Sequence, residues 1–341
     1  MIQEQLAKLV RGDALSVVEA EAAMTAIMTG EASPAQTGAF LAALATKGET
    51  AEEVTGCARA MRRQATTASV GRRPLIDTAG TGGDGSQTFN ISTAVAFVLA
   101  GAGLAVAKHG NRSATSRCGS ADVLEALGVD VQLAPQDAAR AVDEVGIGFL
   151  FAPAWHGAMR HAAGPRRELG VPTVFNMLGP LTNPLGAEFQ LLGVASRRVQ
   201  GLVAPALAEL GTKRSVVVHG EGPLDEASPI GTTFVAEVAD GKITEYTLEP
   251  EDAGIERTTM RDLKGGDPPT NAILLRNVLA GAAGPHRQAV LLNTALGFRA
   301  AGVESDLRLG VKRAAEVIDS GRAVAALETL AGFSRRLEAR A

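Results

Sequence analysis

Two hydrophobic textures divide the chain, and the change falls at Pro74. Before it, start and stop signals for helices recur together: the capping boxes Ser16-x-x-Glu19, Ser33-Pro34-x-Gln36 and Thr50-x-x-Glu53 follow Gly12, Gly30 and Gly48. The first ~65 residues are therefore expected to be wholly helical, as a small domain. Between Ser33 and Lys47, Phe40, Leu41 and Leu44 with alanines in the gaps suit close helix packing rather than strand alternation. A tight helix–helix contact or a dimer face would use them.

Beyond Pro74, short apolar runs at 75–76, 104–107, 147–152, 191–195 and 215–218 alternate with helical patterns at 92–102, 121–127, 135–145, 197–210, 271–280 and 287–301. That alternation predicts an α/β domain with a mainly parallel sheet flanked by helices. Residues 234–238 and 243–248 flank Asp240-Gly241, a type I′ hairpin signal that adds an antiparallel edge. The stretch from Phe175 to Pro184 is too rich in Gly, Pro and Asn for a long regular element and reads as a hinge or crossing.

Composition narrows the function classes. The 341 residues are 46% hydrophobic and 21% charged, which is globular rather than disordered. A net charge of −4 and 4% aromatics leave neither a basic field nor stacking platforms for nucleic acid, so any phosphate recognition must be local. The two cysteines, Cys57 and Cys118, sit in no zinc or C-x-x-C spacing, so neither a disulfide scaffold nor structural zinc is expected. No apolar run has the length of a membrane span and the first residues lack a cleavable apolar core, so a cytoplasmic protein is expected.

The chemistry concentrates in three places. Asp77-Thr-Ala-Gly-Thr-Gly-Gly-Asp-Gly85 is a glycine-rich turn after a strand, of the kind that turns backbone N–H groups toward an anion. It satisfies G-x-G-x-x-G literally but fails as a dinucleotide fingerprint, because Phe89-Asn90-Ile91 intervene before a helix and no acid follows at the ribose position. A Walker A reading also fails, since Ser86 stands where a Lys is required. From Gly85 through Ala121 there is no Asp or Glu, while Lys108, His109, Arg112, Arg117 and several hydroxyl residues are present, so the stretch suits phosphate oxygens. Ser92 and Thr93 head an expected helix whose free amides favour an anion, and Lys108 is placed after the next strand. A plain βα turn and a solvated basic loop are the bland readings of these segments.

The second place is Asp225-Glu226, adjacent carboxylates after a strand that could act as hard ligands for Mg²⁺ or merely as a helix-start charge pair. The third is His156 to Gly170, with Arg160, Arg166 and Arg167. Helical arginines ordinarily face solvent, but one aimed into a cleft would pair bidentately with a carboxylate.

Taken together, GEASPAQTGAFLAALATKGET at Gly30, GTGGDG at Gly80, FNIST at Phe89, KHGNRS at Lys108, GSADVLEALG at Gly119, RRELG at Arg166, FNMLGPLTNP at Phe175 and HGEGPLDE at His219 resemble the anthranilate phosphoribosyltransferases over nearly the whole chain. The resemblance implies a helical domain over 1–70, joined by part of about 173–190, and an α/β domain over 71–341 that binds 5-phosphoribosyl-1-diphosphate. It implies transfer of the phosphoribosyl group to the amine of anthranilate, with Mg²⁺ and without a covalent nucleophile, in a homodimer formed through the helical domain.

At matching positions it assigns the phosphoribosyl diphosphate to Gly80, Gly83, Asp84, Thr88, Asn90, Ile91, Ser92, Thr93, Lys108, His109, Gly110, Asn111, Arg112, Ser113, Ala114, Thr115, Ser116 and Ser120. Anthranilate falls to Gly80, Asn111 and Arg166, and Mg²⁺ to Ser92, Asp225 and Glu226. Three positions depart from the family's usual pattern: Arg117-Cys118 replaces Lys-Ser, Gly157 follows His156 where Pro is usual, and Ala227-Ser-Pro-Ile-Gly-Thr is off the common wording. Cys118 brings with it an expectation of sensitivity to thiol reagents. The competing readings are a pyrimidine nucleoside phosphorylase of the same architecture, which would not need Asp225-Glu226, and a noncatalytic nucleic-acid-binding relative, whose basic surface is missing.

Overall fold

The computed structural model describes residues 2–113 and 116–338. Four helices open the chain: α1 (Ile2–Val10), α2 (Val17–Met28), α3 (Pro34–Lys47) and α4 (Ala51–Gln64). All three expected capping boxes form, with Ser16, Ser33 and Thr50 each accepting the N–H of the Glu or Gln three residues on. Phe40, Leu41 and Leu44 are fully buried within the single chain, so they make the helix–helix contact and leave nothing for a dimer face.

The α/β part runs β1 (Leu75–Gly80), α5 (Ile91–Gly101), β2 (Ala105–Gly110), α6 (Ser120–Ala126), α7 (Pro135–Val145), β3 (Ile147–Phe151), α8 (Ala152–Trp155), α9 (Arg160–Leu169), α10 (Phe175–Leu181), β4 (Phe189–Gly193), α11 (Arg197–Glu209) and β5 (Arg214–Gly220). It continues with β6 (Thr233–Ala239), β7 (Lys242–Leu248), α12 (Pro268–Leu279), α13 (Pro285–Ala300), α14 (Leu307–Asp319) and α15 (Arg322–Glu338). The sheet order is β3-β2-β1-β4-β5-β6-β7, with β3 through β5 parallel and β6 and β7 antiparallel. Asp240 and Gly241 both take positive φ (49° and 75°) between paired Ala239 and Lys242, as a type I′ turn requires.

The order decides where a site can form. The chain builds outward from β1 through β2 to β3, then returns to lay β4 on the other side of β1. Connections leave β1 and β4 in opposite directions, toward β2 and β5, which opens a crevice at the carboxyl ends of these two neighbouring strands. The return passes through α8 to α10, and α10 is a seven-residue helix containing Pro180, in keeping with a segment that cannot form a long element. Its Phe175, Leu178 and Leu181 share a core with Met24, Leu41 and Cys57 of the helical domain and with Leu192 and Val217 of the sheet. Arg62 Nε donates to the Leu181 carbonyl and Gln190 Nε2 to that of Pro180, at 2.7 Å each, so α10 is tied to both sides.

Two expectations need correction. Lys108, His109 and Gly110 lie inside β2, paired with Phe149, Leu150 and Phe151, rather than in a loop after it. The helical pattern also does not end near Ala301: α14 and α15 follow, and Leu327, Leu330 and Phe333 of α15 complete the core beneath α5 and α7.

Candidate active site

A cleft of about 380 Å³ lies in the crevice at β1 and β4. It falls within the range of small-molecule sites. Gly80, Gly83, Asp84, Thr88, Asn90, Ile91, Ser92, Thr93, Lys108, His109, Gly110, Asn111, Arg112, Ser113, Ser116, Ser120, Arg166, Asp225 and Glu226 all line it. Ala114 and Thr115 lie outside the described residues. The structure thus brings together every described residue that the resemblance assigned to a ligand, from segments as far apart as Gly80 and Glu226.

Between β1 and α5 the chain runs through residues 81–90, too far for a dinucleotide-type turn that opens directly onto its helix. Gly82, Gly83 and Gly85 take φ of +67°, +77° and +73°, a region L side chains resist, and this coils the loop over the ends of β1 and β4. The Gly82 N–H donates to Asp225 Oδ2 at 2.7 Å, and Asp225 N–H donates to Asp84 Oδ2 at 3.2 Å. Any Cβ on Gly80 would collide with the Asp225 carboxylate. The glycine loop and the acidic pair are therefore one unit, pressed together by residues that lack side chains.

Asp84, Asp225 and Glu226 crowd negative charge there. Glu226 accepts the Ser92 N–H at 3.1 Å at the head of α5. Burial pushes its carboxyl up to about 8, with Lys108 and the Ser92 amide opposing the shift and Asp84 adding to it. Asp225 is raised well above the carboxylate range by burial, then by Asp84 and Glu226. Carboxyls so crowded call for a cation. Among the described residues no group of three or more His, Cys, Asp or Glu side chains is placed to hold a metal alone, so a hard cation here would take its remaining oxygens from a ligand or water.

Lys108 is the buried positive charge of the floor. Its Nζ donates to the Thr78 carbonyl at 2.5 Å and to Ser92 Oγ at 3.4 Å. Burial lowers its pKa, while Asp77 and Glu226 oppose the drop. Asp77 in turn accepts the His109 N–H at 3.1 Å and Asn183 Nδ2 at 2.9 Å, and burial raises it to about 6. His109 is also buried, its Nδ1 3.0 Å from the Gly179 carbonyl and its ring 5.1 Å from that of His156. A solvated basic loop is thus excluded for Lys108 and His109.

The rim differs. Arg112 is exposed and its guanidinium binds Asp122 at 3.1 Å and Glu125 at 2.7 Å. Arg166 of α9 has no carboxylate partner among the described residues. Its guanidinium lies 4.7 Å over the Phe175 ring, and burial lowers its pKa. A half-buried, unpaired guanidinium held by stacking is prepared for a planar carboxylate. Arg160 is exposed and Arg167 is not among the lining residues.

Burial weighs against the expectation for Cys118. The thiol is buried and donates to Asn90 Oδ1 at 3.4 Å, and burial raises its pKa to about 11, so little thiolate exists at neutral pH. Sequence reasoning also missed lining residues of α10, namely Phe175, Asn176, Gly179 and Pro180. Their signal was the FNMLGPLTNP run itself, which pattern alone could place only as a crossing.

Residues 72–324 match the glycosyl transferase family a/b domain, and residues 3–65 match the family's helical bundle domain. An anthranilate phosphoribosyltransferase from Desulforamulus reducens is 53% identical over 340 residues, covering 100% of this chain and 99% of the relative. The crystal structure of anthranilate phosphoribosyltransferase from Thermus thermophilus superposes with a TM-score of 0.91 at 49% identity, covering 97% of this chain and 99% of that one. The enzyme from Saccharomyces cerevisiae, in complex with PRPP and Mg, superposes at 0.90 with 30% identity over 98% of both chains. A helical bundle on a mainly parallel sheet, with a cleft at the strand-order reversal and this degree of identity over the full length, places the chain in the anthranilate phosphoribosyltransferase family.

Proposed function

We propose that the cleft transfers the phosphoribosyl group of 5-phosphoribosyl-1-diphosphate (PRPP) to the amine of anthranilate. The products are N-(5-phosphoribosyl)anthranilate and diphosphate, and the step is the second of tryptophan biosynthesis from chorismate. The observation that carries this reading is one cleft that combines an acid-free anion loop, a buried acidic pair and an unpaired arginine. The first suits a polyphosphate, the second a divalent cation, and the third a carboxylate-bearing acceptor.

Gly80, Gly83, Asp84, Thr88, Asn90, Ile91, Ser92, Thr93, Lys108 to Ser113, Ser116 and Ser120 hold PRPP in this reading, with the amides at the head of α5 favouring negative charge, and Ala114 and Thr115 join them by the resemblance alone. Arg166 takes the anthranilate carboxylate, beside Asn111 and Gly80. Ser92, Asp225 and Glu226 fit Mg²⁺ by the hard-oxygen donor set and the unbalanced carboxylate charge described above. Mg²⁺, when bound there, neutralises charge on the departing diphosphate.

The protein's share of the chemistry is positioning and electrostatics. The anthranilate nitrogen lone pair forms the bond to the anomeric carbon as the carbon–oxygen bond to diphosphate breaks, and the leaving oxygen keeps that electron pair. The nitrogen proton is then lost to water. Attack opposite the leaving group inverts the anomeric carbon. An aryl amine is neutral at pH 7, so no strong general base is required. Lys108 places its Nζ in the floor of the cleft, held by the Thr78 carbonyl and Ser92 Oγ, while Arg166 fixes the acceptor's orientation.

We further propose a cytoplasmic homodimer joined through the helical domain, with that domain comprising 1–70 and part of about 173–190. Val10 and Val18, 76% and 73% exposed on the helical domain, support a surface of this kind. No helix among the described residues is long and apolar enough to cross a membrane.

The test is loss of anthranilate fluorescence on adding PRPP and Mg²⁺, with EDTA in a parallel sample. Metal-dependent loss is expected, and persistence of the fluorescence with folded protein would reject the reaction.

A further inference from the structure

Asn271 belongs to no anion-binding segment, yet it reaches one. It stands in the first turns of α12, is 1% exposed, and lies 181 residues from the side chain it contacts. Its Nδ2 donates to Asn90 Oδ1 at 2.9 Å, and its own Oδ1 accepts the Gly266 N–H at 2.7 Å. Asn90 in turn donates from Nδ2 to the Cys118 carbonyl at 3.1 Å and accepts the Cys118 thiol at 3.4 Å. Asn90 precedes α5, and Cys118 ends the loop that follows β2. The amide of Asn90 therefore staples together the two segments that close the anion side of the cleft.

An asparagine amide can point either way round, and only its partners decide. Here Asn271 supplies the stronger donor to Asn90 Oδ1, at 2.9 Å against 3.4 Å for the Cys118 thiol, and so keeps Asn90 Nδ2 on the Cys118 carbonyl. The segment that carries this donor is itself laid along the anion loop. Phe89 N–H donates to the Leu263 carbonyl at 3.2 Å, Gly265 N–H donates to that of Gln87 at 2.9 Å, and Thr88 bridges Lys264. Gln87 takes φ +56°, a strained value for a side-chain-bearing residue, so the loop end is held in place by this outer strap rather than by its own preference.

We propose that Asn271 is a positioning residue for PRPP, acting through Asn90 to set the spacing between the head of α5 and the loop after β2. The inference rests on the PRPP reading of the cleft. Without the Asn271 donor, Asn90 Oδ1 keeps only the long thiol contact from Cys118, the amide is held less firmly against the Cys118 carbonyl, and the register between the two halves of the phosphate cradle loosens. The acceptor side at Arg166 is untouched.

Asn271→Asp is the decisive variant. Its carboxylate keeps the volume and can still accept from Gly266, but it cannot donate to Asn90 and places an acceptor against an acceptor. Steady-state kinetics on the full chain with Mg²⁺ are measured with PRPP and anthranilate varied separately, together with the Tm shift that Mg·PRPP produces in the absence of acceptor. The expected result is a KM for PRPP raised about tenfold, the net worth of one buried hydrogen bond, with a correspondingly smaller ligand-induced Tm shift and a KM for anthranilate within about twofold of the parent.

Asn271→Ala is expected to show the same split, and in an Asn90→Ala background Asn271→Asp should add little. An Asp variant with the parent KM for PRPP would overturn the proposal, and so would equal increases in both KM values. Failure of the parent protein to consume anthranilate would instead overturn the PRPP reading, so the two failures are distinguishable.

Discussion

Gly193, the last residue of β4, lies flush against Asp225: a Cβ on Gly193 would overlap the Asp225 carbonyl oxygen. That carbonyl belongs to backbone and cannot swing aside, so the position of the acidic pair is set by the absence of one side chain. Gly193→Ala must displace residues 225–226 or the end of β4, at a cost of about 1–3 kcal/mol for the strain alone. We expect a folded protein whose kcat/KM falls roughly 100-fold and whose Mg²⁺ requirement rises, since a shift of about 1 Å at a positioned group has that order of effect. Titration of activity with Mg²⁺ checks it, and unchanged half-saturation would count against the acidic pair as the metal site.

Arg166 makes a second prediction from its lack of a partner. Arg166→Lys keeps the charge but loses the planar fork and the stacking over Phe175. The KM for anthranilate should rise about tenfold, the order of one charge-assisted hydrogen bond lost with the charge retained, with PRPP binding unchanged. Separate titrations of the two substrates decide it; a loss of PRPP affinity instead would move Arg166 to the donor side.

Glu53 carries the stability of the helical domain. It is fully buried and accepts the Leu15 N–H at 2.9 Å, the Thr50 N–H at 2.8 Å and Lys47 Nζ at 2.9 Å. Glu53→Ala leaves two amides without their acceptor and a nearly buried ammonium with only the Gly48 carbonyl in place of its carboxylate, which should cost about 3 kcal/mol. Urea unfolding followed by far-UV circular dichroism measures this, and a midpoint equal to the parent's would show that the pair contributes nothing net.

The paired histidines predict acid lability. Burial lowers His109 to about 3, with His156 and Lys108 adding to the drop, and burial lowers His156 to about 4. Unfolding frees both to bind protons at their ordinary value near 6.5. Below that pH the unfolded state holds more protons than the folded one, so stability is fully present above about 6.5 and declines as pH falls toward 4, by about 1.4 kcal/mol per pH unit for each histidine. His156→Gln should flatten the slope of stability between pH 6 and 4. An identical slope in parent and variant would remove His156 from the account.

Cys118 should be inert. Iodoacetamide at pH 7 is expected to leave activity intact, because the thiol is buried and shifted up to about 11. Rapid inactivation of the parent that Cys118→Ser prevents would contradict this.

Much of this architecture was legible in the chain because its causes are local. Ser16, Ser33 and Thr50 announce helices through partners three residues away, and Asp240-Gly241 announces a hairpin through backbone conformation alone. The α/β alternation likewise follows from short apolar runs. α15 escaped because its core-facing stripe of Ala323, Ala326, Leu327, Leu330 and Ala331 is largely alanine and exposed Ala325 adds another apolar residue off that stripe, which blurs the helical period.

At the site, the glycine loop and Arg166 could be read from motif resemblance, but their coupling could not. Asp84 meets Asp225 across 141 residues and Asn90 meets Asn271 across 181, and no periodicity encodes such contacts. Lys108 was misplaced because β2 continues through three residues whose polar side chains and glycine imitate a loop.

The most direct measurement of the central claim is stoichiometry: anthranilate consumed and diphosphate released, followed together in one reaction with PRPP and Mg²⁺, for the parent and for Asp225→Asn. The account predicts one diphosphate per anthranilate, loss of both signals with EDTA, and severe impairment of both in the variant. Diphosphate release without anthranilate consumption, or phosphorolysis of a pyrimidine nucleoside by the same cleft, would contradict it.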